Sequence, residues 1–189
     1  MWPRMRAAAY GRDGSLLVCA VECSRMGLRN HLSSSMKSSE AESSSEEAAV
    51  AGRGRCVCGA VQFDVTGPLR SVIYCHCHMC RRWSGHIVAA TACQADRLRL
   101  RCATTLSWYQ SSAKARRGFC MVCGSSLFWM PSSGEYVAIM AGTLDAPTNL
   151  SASEHIFVAD AGDYYQIHDD LIRSIGSMVS SPPNPEQGT

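Results

Sequence analysis

The chain has 189 residues, a length that fits one domain with flexible ends better than two full domains. Hydrophobic residues make up 46% of it, which is enough for one modest core. No stretch approaches the roughly 18 uninterrupted apolar residues that a membrane span requires. The formal net charge is only +2, so no overall field attracts phosphate groups. We therefore expect neither nucleic acid nor a membrane as a partner.

The chain contains 11 cysteines, a density that indicates disulfides, metal ligation or redox chemistry. Arg12 and Asp13 interrupt the apolar stretches near the N-terminus, and the run from Leu16 to Val21 is short for a secretory signal. We therefore predict a cytoplasmic protein with reduced cysteines. The alternative is an organelle, if the Arg-rich start is a transit peptide.

Composition divides the chain into three parts. Residues 31–49 are dominated by Ser, Glu and Ala, so residues 1–52 are predicted to be a disordered or targeting N-terminal segment. Residues 173–189 carry several prolines with little to pack against and are predicted to form a flexible tail. The folded domain is predicted to span residues 53–172.

Short strands dominate the predicted elements of this domain. Apolar and polar residues alternate from Val61 to Val65, and the pattern stops at the turn signal Gly67–Pro68. Further strand-like segments follow at 69–75, 86–93, 97–102, 105–111, 125–130, 135–144 and 155–160. One short helical turn is expected after Cys80. Strands at this regular spacing, without a long helical period, predict a mainly β fold.

Seven cysteines form three tight groups, which are Cys56 and Cys58, then Cys75, Cys77 and Cys80, then Cys120 and Cys123. Zinc prefers four soft ligands in a tetrahedron, and close cysteine pairs supply two ligands from one turn. The first and last groups together would close a structural four-cysteine site. The middle group would offer three thiolates and an open fourth position, which is typical of a catalytic zinc. The sequence therefore predicts two zinc ions per chain.

Other uses of these cysteines remain open. A zinc ribbon could join Cys77 and Cys80 to the pair at Cys120 and Cys123, but 39 residues separate the pairs where roughly 15–20 is usual. Disulfides would need an oxidising compartment, and thiol redox catalysis at the middle group would need no metal. Cys93 and Cys102 are interpreted as small core residues.

The motifs resemble those of a known family. The segments GRCVCGAVQF, YCHCHMCRRWSG, RRGFCMVCGSSLFW, AGTLD and HIFV, within residues 53–170, are similar to the glutathione-dependent formaldehyde-activating (GFA) family, also called the CENP-V/GFA domain family. The resemblance implies a compact zinc-stabilised β domain, resembling methionine-sulfoxide reductase B. It implies structural zinc ligands at Cys56, Cys58, Cys120 and Cys123, and catalytic zinc ligands at Cys75, Cys77 and Cys80.

The resemblance also implies an activity. The expected enzyme is a carbon–sulfur lyase that joins or releases a thiol, glutathione or similar, and a small aldehyde such as formaldehyde. The alternative, suggested by the centromere-protein branch, is a non-catalytic zinc-stabilised interaction module of the CENP-V type. The chain departs from the family after HIFVA, where it reads DAGDYYQIHDDL in place of a Ser-Lys pair and a tryptophan. Tyr164 or Tyr165 could replace the aromatic packing, and the identity of the thiol stays open.

Residues beside the cysteine groups are candidate substrate contacts. Arg81 and Arg82 could pair with substrate carboxylates, and Trp83 could wall a pocket. Arg116 and Arg117 are further candidates for such pairing. His76 and His78 could complete the zinc site or relay a proton, or could merely orient the loop. His155 is interpreted as a hydrogen-bonded structural histidine.

Overall fold

A computed structural model of the chain describes residues 49–176. Most of the predicted N-terminal segment and tail, with Cys19 and Cys23, lies outside these residues. The described strands are β1 (Val50–Arg55), β2 (Gln62–Thr66), β3 (Val72–Cys75), β4 (Val88–Gln94), β5 (Leu98–Cys102), β6 (Leu106–Ser112), β7 (Ala115–Cys120), β8 (Ser126–Pro131), β9 (Tyr136–Met140), β10 (Ala152–Ile156) and β11 (Ile172–Ser174). Helix α1 spans His78–Ser84, and single 3-10 turns span Ala95–Arg97, Ala141–Thr143 and Val158–Asp160.

The prediction of a mainly β fold is confirmed, while some element boundaries differ. Strand β1 begins at Val50, inside the predicted N-terminal segment, and β11 extends to Ser174. Helix α1 begins at His78, ahead of the helical turn expected after Cys80. Its start is set by Cys77, whose side chain accepts a hydrogen bond from the Cys80 N–H as an N-terminal cap.

The strands form two sheets. A three-stranded sheet has the order β1-β2-β5, and an eight-stranded sheet has the order β11-β10-β3-β4-β9-β8-β7-β6. All strand pairs are antiparallel except β3 with β10 and β10 with β11. Phe63 of β2 meets Phe128 of β8 edge to face, with ring centroids 5.0 Å apart. Both rings are fully buried, so this contact lies at the centre of the packing between the sheets.

The larger sheet buries different residues on its two faces because strand side chains alternate. Val137 and Ile139 of β9 are fully buried on one face. Ala138 and Met140, on the other face, line a cavity that Ala90 of β4 also borders. The short alanine side chains leave this face hollow. No helix between residues 49 and 176 has the length and apolar character needed to cross a membrane.

The aromatic contact between the sheets yields a stability prediction. Replacing Phe63 by Ala should lower the free energy of unfolding by roughly 3–5 kcal/mol, because it removes a fully buried ring and leaves a void. Leu100→Ala, at a position that is 45% exposed on β5, should cost less than about 1 kcal/mol. Denaturant unfolding at matched metal content would measure both, and equal losses would contradict the central role of Phe63.

Candidate functional site

Four cysteines meet where two β hairpins turn. Cys56 and Cys58 lie in the turn between β1 and β2, while Cys120 is the last residue of β7 and Cys123 lies in the turn that leads to β8. Their four Sγ atoms all lie within 4.8 Å of one another. The predicted first and last cysteine groups are therefore brought together.

The sulfur spacings test whether this cluster fits a metal or a disulfide. Cys58 Sγ lies 3.5 Å from Cys56 Sγ and 3.7 Å from Cys120 Sγ. Disulfide sulfurs lie about 2.05 Å apart, whereas zinc–sulfur bonds of about 2.3 Å place tetrahedral ligands roughly 3.8 Å apart. The nine cysteines in the described part of the chain are all free. The cluster therefore has the donor set and the spacing of a closed zinc site.

The two turns share a local design. Each cysteine pair is followed by a glycine in the left-handed region, Gly59 at φ 75° and Gly124 at φ 73°. A side chain at either position would be strained, so glycine allows the chain to reverse tightly around the sulfurs. The Val57 N–H also donates to Ser125 Oγ at 3.1 Å, which ties one turn to the other.

A second cluster lies at the end of β3. Cys75 ends the strand, Cys77 caps helix α1, and Cys80 lies one turn into the helix. Their Sγ atoms also lie within 4.8 Å of one another, and no His, Cys, Asp or Glu of residues 49–176 joins them as a fourth ligand. The end of β3 and the start of α1 thus bring three thiols close together. The fourth position of a tetrahedron is left to another molecule.

The three thiols are not equivalent. The side chains of Cys75 and Cys80 hydrogen-bond to Cys77 and lower the pKa of its thiol to about 2, with help from the Cys80 and Met79 backbone. The same contact with Cys77 raises the pKa of Cys75. Contacts among the three thiols therefore favour a thiolate at Cys77, and the thiolate is the form of cysteine that binds metal.

His76, between two of these cysteines, points into the protein. It is fully buried, with Nδ1 2.6 Å from the Tyr165 hydroxyl and Nε2 2.8 Å from His155 Nδ1. His155 Nε2 in turn lies 3.0 Å from an Asp169 carboxylate oxygen. Both ring nitrogens of His76 are occupied, so this side chain is not free to serve as a fourth metal ligand.

One set of proton positions satisfies the whole chain of contacts. The carboxylate of Asp169 can only accept when ionised, so His155 Nε2–H donates to it. His155 Nδ1 then accepts from His76 Nε2–H, and His76 Nδ1 accepts from the Tyr165 hydroxyl. Both imidazoles are neutral in this arrangement, and burial lowers the pKa of His76 in agreement with it. The interpretation of His155 as a structural histidine matches this network, which the sequence did not suggest.

A cavity of about 770 Å³ adjoins the three-cysteine cluster. Its lining includes all three cysteines, the alanines of the hollow sheet face, and the pair His78 and Asp160. His78 Nδ1 lies 3.4 Å from Asp160 Oδ1. Apolar side chains form most of the remaining wall, so the open position of the cluster faces a mainly apolar space.

The predicted substrate contacts lie elsewhere. Arg81, Arg82 and Trp83 do not line the cavity. Arg81 Nε donates to the His76 carbonyl at 3.2 Å, and Trp83 Nε1 donates to Ser126 Oγ at 2.6 Å. Arg117 does line the cavity, as does Arg70, which the sequence did not single out. Arg81 and Arg82 follow Cys80 directly and so lie on other faces of the helix. Trp83 shares a face with Cys80, but its ring packs against Tyr109 and Phe119 instead of the cavity.

Comparison with known proteins identifies a matching family and similar proteins from two organisms. Residues 51–160 match the model of the family described as glutathione-dependent formaldehyde-activating enzyme. An uncharacterized lyase of Schizosaccharomyces pombe is 26% identical over 113 residues, which cover 59% of this chain and 82% of the relative. A solved structure of a Rhodobacter sphaeroides protein is 29% identical in sequence and has a TM-score of 0.43. This match covers 50% of the present chain and 88% of the Rhodobacter sphaeroides chain.

The match places the protein among cysteine-cluster domains associated with enzymes. It extends from the start of β1 to the 3-10 turn after β10 and includes both clusters. The chain belongs to the glutathione-dependent formaldehyde-activating enzyme family.

The two clusters predict separable metal losses. Cys123→Ser removes one thiol from the four-cysteine cluster, and Cys77→Ser removes one from the three-cysteine cluster. Each variant should lose about one equivalent of zinc on purification, because a site that lacks one of its thiol ligands binds metal poorly. Cys102→Ser, which lies outside both clusters, should leave the zinc content unchanged. Elemental analysis would measure the stoichiometry, and an unchanged content in both cluster variants would contradict the assignment.

The Tyr165 hydroxyl should stabilise the loop that carries two of the clustered cysteines. Tyr165→Phe leaves His76 Nδ1 buried without its donor and should lower the free energy of unfolding by about 1 kcal/mol. The matched control is Tyr164→Phe, since the neighbouring ring is 58% exposed and its hydroxyl makes only a 3.4 Å contact with His86. Its effect should stay below about 0.5 kcal/mol. Equal effects in denaturant unfolding would contradict the proposed network.

Proposed function

We propose that the protein is a zinc-dependent carbon–sulfur lyase of the GFA type. It would join or release a thiol, glutathione or similar, and a small aldehyde such as formaldehyde. One observation carries the proposal. Three converging thiols, without a fourth side-chain ligand from the described residues, open onto a mainly apolar cavity. A purely structural metal site would be closed by protein ligands, as the four-cysteine cluster is.

The donor sets divide the work between two zinc ions. Cys56, Cys58, Cys120 and Cys123 would hold a structural ion, and Cys75, Cys77 and Cys80 would hold the catalytic one. Bound there, zinc would supply a Lewis acid that lowers the pKa of a substrate thiol and so provides thiolate at neutral pH. The cavity would hold the aldehyde beside that sulfur, and its apolar wall would limit competing water.

The joining reaction balances without an oxidant or reductant. The sulfur electron pair forms the new bond to the carbonyl carbon, the carbon–oxygen π pair moves to oxygen, and the thiol proton ends on that oxygen. The reverse reaction breaks the same carbon–sulfur bond. The protein must therefore bind both partners and move one proton.

His78 is the histidine placed to move that proton. It lines the cavity, whereas His76 is turned away and occupied at both nitrogens. Asp160 Oδ1 beside His78 Nδ1 would orient the ring and leave Nε2 to exchange a proton with the substrate oxygen. Asp160 acts here as a positioning residue.

Zinc content followed by glutathione titration tests the proposal directly. Purified protein should hold two zinc ions per chain, and X-ray absorption should show one of them gaining a sulfur neighbour as glutathione is added. A single zinc and no response to glutathione would contradict the proposal for this thiol. That outcome would favour a zinc-stabilised interaction module.

Cys77→Ser provides a kinetic test. Turnover of glutathione with formaldehyde should fall by at least about 100-fold, because the site loses one of its three thiolate ligands. The four-cysteine zinc and the circular dichroism spectrum should remain. Cys93→Ala is the control, since this thiol is buried away from both clusters. Retained turnover in Cys77→Ser would overturn the assignment of the catalytic cluster.

A further inference from the structure

We propose that the cavity recognises a short carboxylate-bearing substrate and that Arg70 is the residue that selects it. This inference rests on the proposed function and names the substrate class of the same site. The carboxylate could belong to the aldehyde, as in a 2-oxo acid, or to the thiol, as in a mercapto acid. In both cases a carboxylate lies a few bonds from the reacting carbon or sulfur.

Two guanidinium groups border the cavity. Arg70 and Arg117 both line it, and Arg117 is only 3% exposed. The Nε and NH1 atoms of both side chains are buried and have no hydrogen-bond partner among residues 49–176. Within the same residues, neither guanidinium has a carboxylate within 4.0 Å. Buried cations with unmade hydrogen bonds are unfavourable, so such groups usually meet a ligand.

The charge of Arg117 already has a partner. Its NH2 group lies 3.6 Å from Cys80 Sγ, and its guanidinium carbon lies 5.8 Å from the centre of the Trp83 ring. A thiolate cluster carries negative charge, so this cation is matched by the cysteines themselves. Arg117 therefore stabilises the cluster more directly than it recruits a substrate.

Arg70 has no such thiolate. Its one hydrogen bond from the guanidinium is a long one, 3.4 Å from NH2 to the Ala90 carbonyl. Glu154 and the Tyr136 hydroxyl act on its charge, but Glu154 does not line the cavity. Tyr136 does line it and could add a hydroxyl donor at the same end. Lys114 also lines the cavity but is exposed to solvent, so Arg70 is the cation with buried, unpartnered N–H groups that remains for a ligand.

Strand register gives the length of the ligand. Ala90, which accepts from the guanidinium, pairs with Ile73, while Val88 pairs with Cys75. Two residues of extended strand span roughly 7 Å, so the Arg70 guanidinium lies about that far along the sheet from the cysteines. A carboxylate bound to Arg70 would thus be about two to four bonds from an atom reacting at the cluster. Short oxo or mercapto acids fit this spacing.

The test compares charged and neutral partners on zinc-loaded full-length protein. One arm measures kcat/KM for glyoxylate and for acetaldehyde with glutathione as thiol. The other arm measures calorimetric binding of mercaptoacetate and of 2-mercaptoethanol. Wild-type protein should favour the acid by at least about tenfold in one arm, and that arm identifies which partner carries the carboxylate. Lack of a preference in both arms would overturn the proposal.

Variants then assign the preference to one residue. Arg70→Gln should reduce the preference by about tenfold or more with unchanged zinc content, and Arg70→Lys should restore part of it. Arg99→Gln, on the exposed β5 strand outside the cavity, should keep the wild-type ratio. Circular dichroism and zinc analysis identify any variant that fails to fold, and Arg70→Lys keeps the test decisive in that event. A preference that survives in Arg70→Gln would overturn the role of Arg70.

The outcomes also separate this inference from the proposed lyase function. Arg70-dependent binding of mercaptoacetate, with no turnover of any thiol and aldehyde pair, would support the carboxylate site and contradict the lyase. Turnover of glutathione with formaldehyde, without any preference for acids, would support the lyase and contradict the carboxylate site.

Discussion

The convergence of the four thiols from two distant hairpin turns is the contact on which the rest of the structure depends. One turn belongs to the three-stranded sheet and the other to the eight-stranded sheet, so the cluster fastens the sheets at one end. Phe63 and Phe128, which make the aromatic contact, lie near the start of β2 and β8, the strands that directly follow these two turns. A metal held there would act as a short covalent tie between segments more than 60 residues apart, where loop-closure entropy is large.

Because the four-cysteine cluster and the core fasten one face of the larger sheet, the opposite face is available to form the cavity. The face toward the small sheet is filled by Val137, Ile139 and their neighbours, which supply the apolar core. The other face carries Ala90, Ala115 and Ala138, whose small side chains would leave a poor core but provide room for a substrate. The three-cysteine cluster borders that hollow because β3 ends there and α1 begins there. The buried core and the proposed catalytic cavity thus lie on different faces of one sheet.

Much of this arrangement could be predicted from the sequence, because cysteine spacing and strand alternation are local signals. The β fold and the pairing of the first and last cysteine groups follow from them. Strand β7 was missed because its two arginines and glycine break the apolar alternation, although pairing with β6 and β8 holds it in place. The contacts of Arg70 and Tyr165, on which their proposed roles rest, could not be foreseen, since each side chain meets a residue far along the chain.

Charge balance links the two parts of the site. Three thiolates and one divalent cation would leave a net charge of −1, and Arg117 beside Cys80 offsets it. The two imidazoles of the buried network add no charge behind the cluster, because both are neutral when His155 Nε2–H donates a hydrogen bond to the ionised Asp169 carboxylate. Arg117 thus offsets the charge of the cluster at one end of the cavity, and Arg70 adds positive charge away from the cysteines. Such a gradient orients a substrate that is neutral at its reacting atom and anionic at its far end.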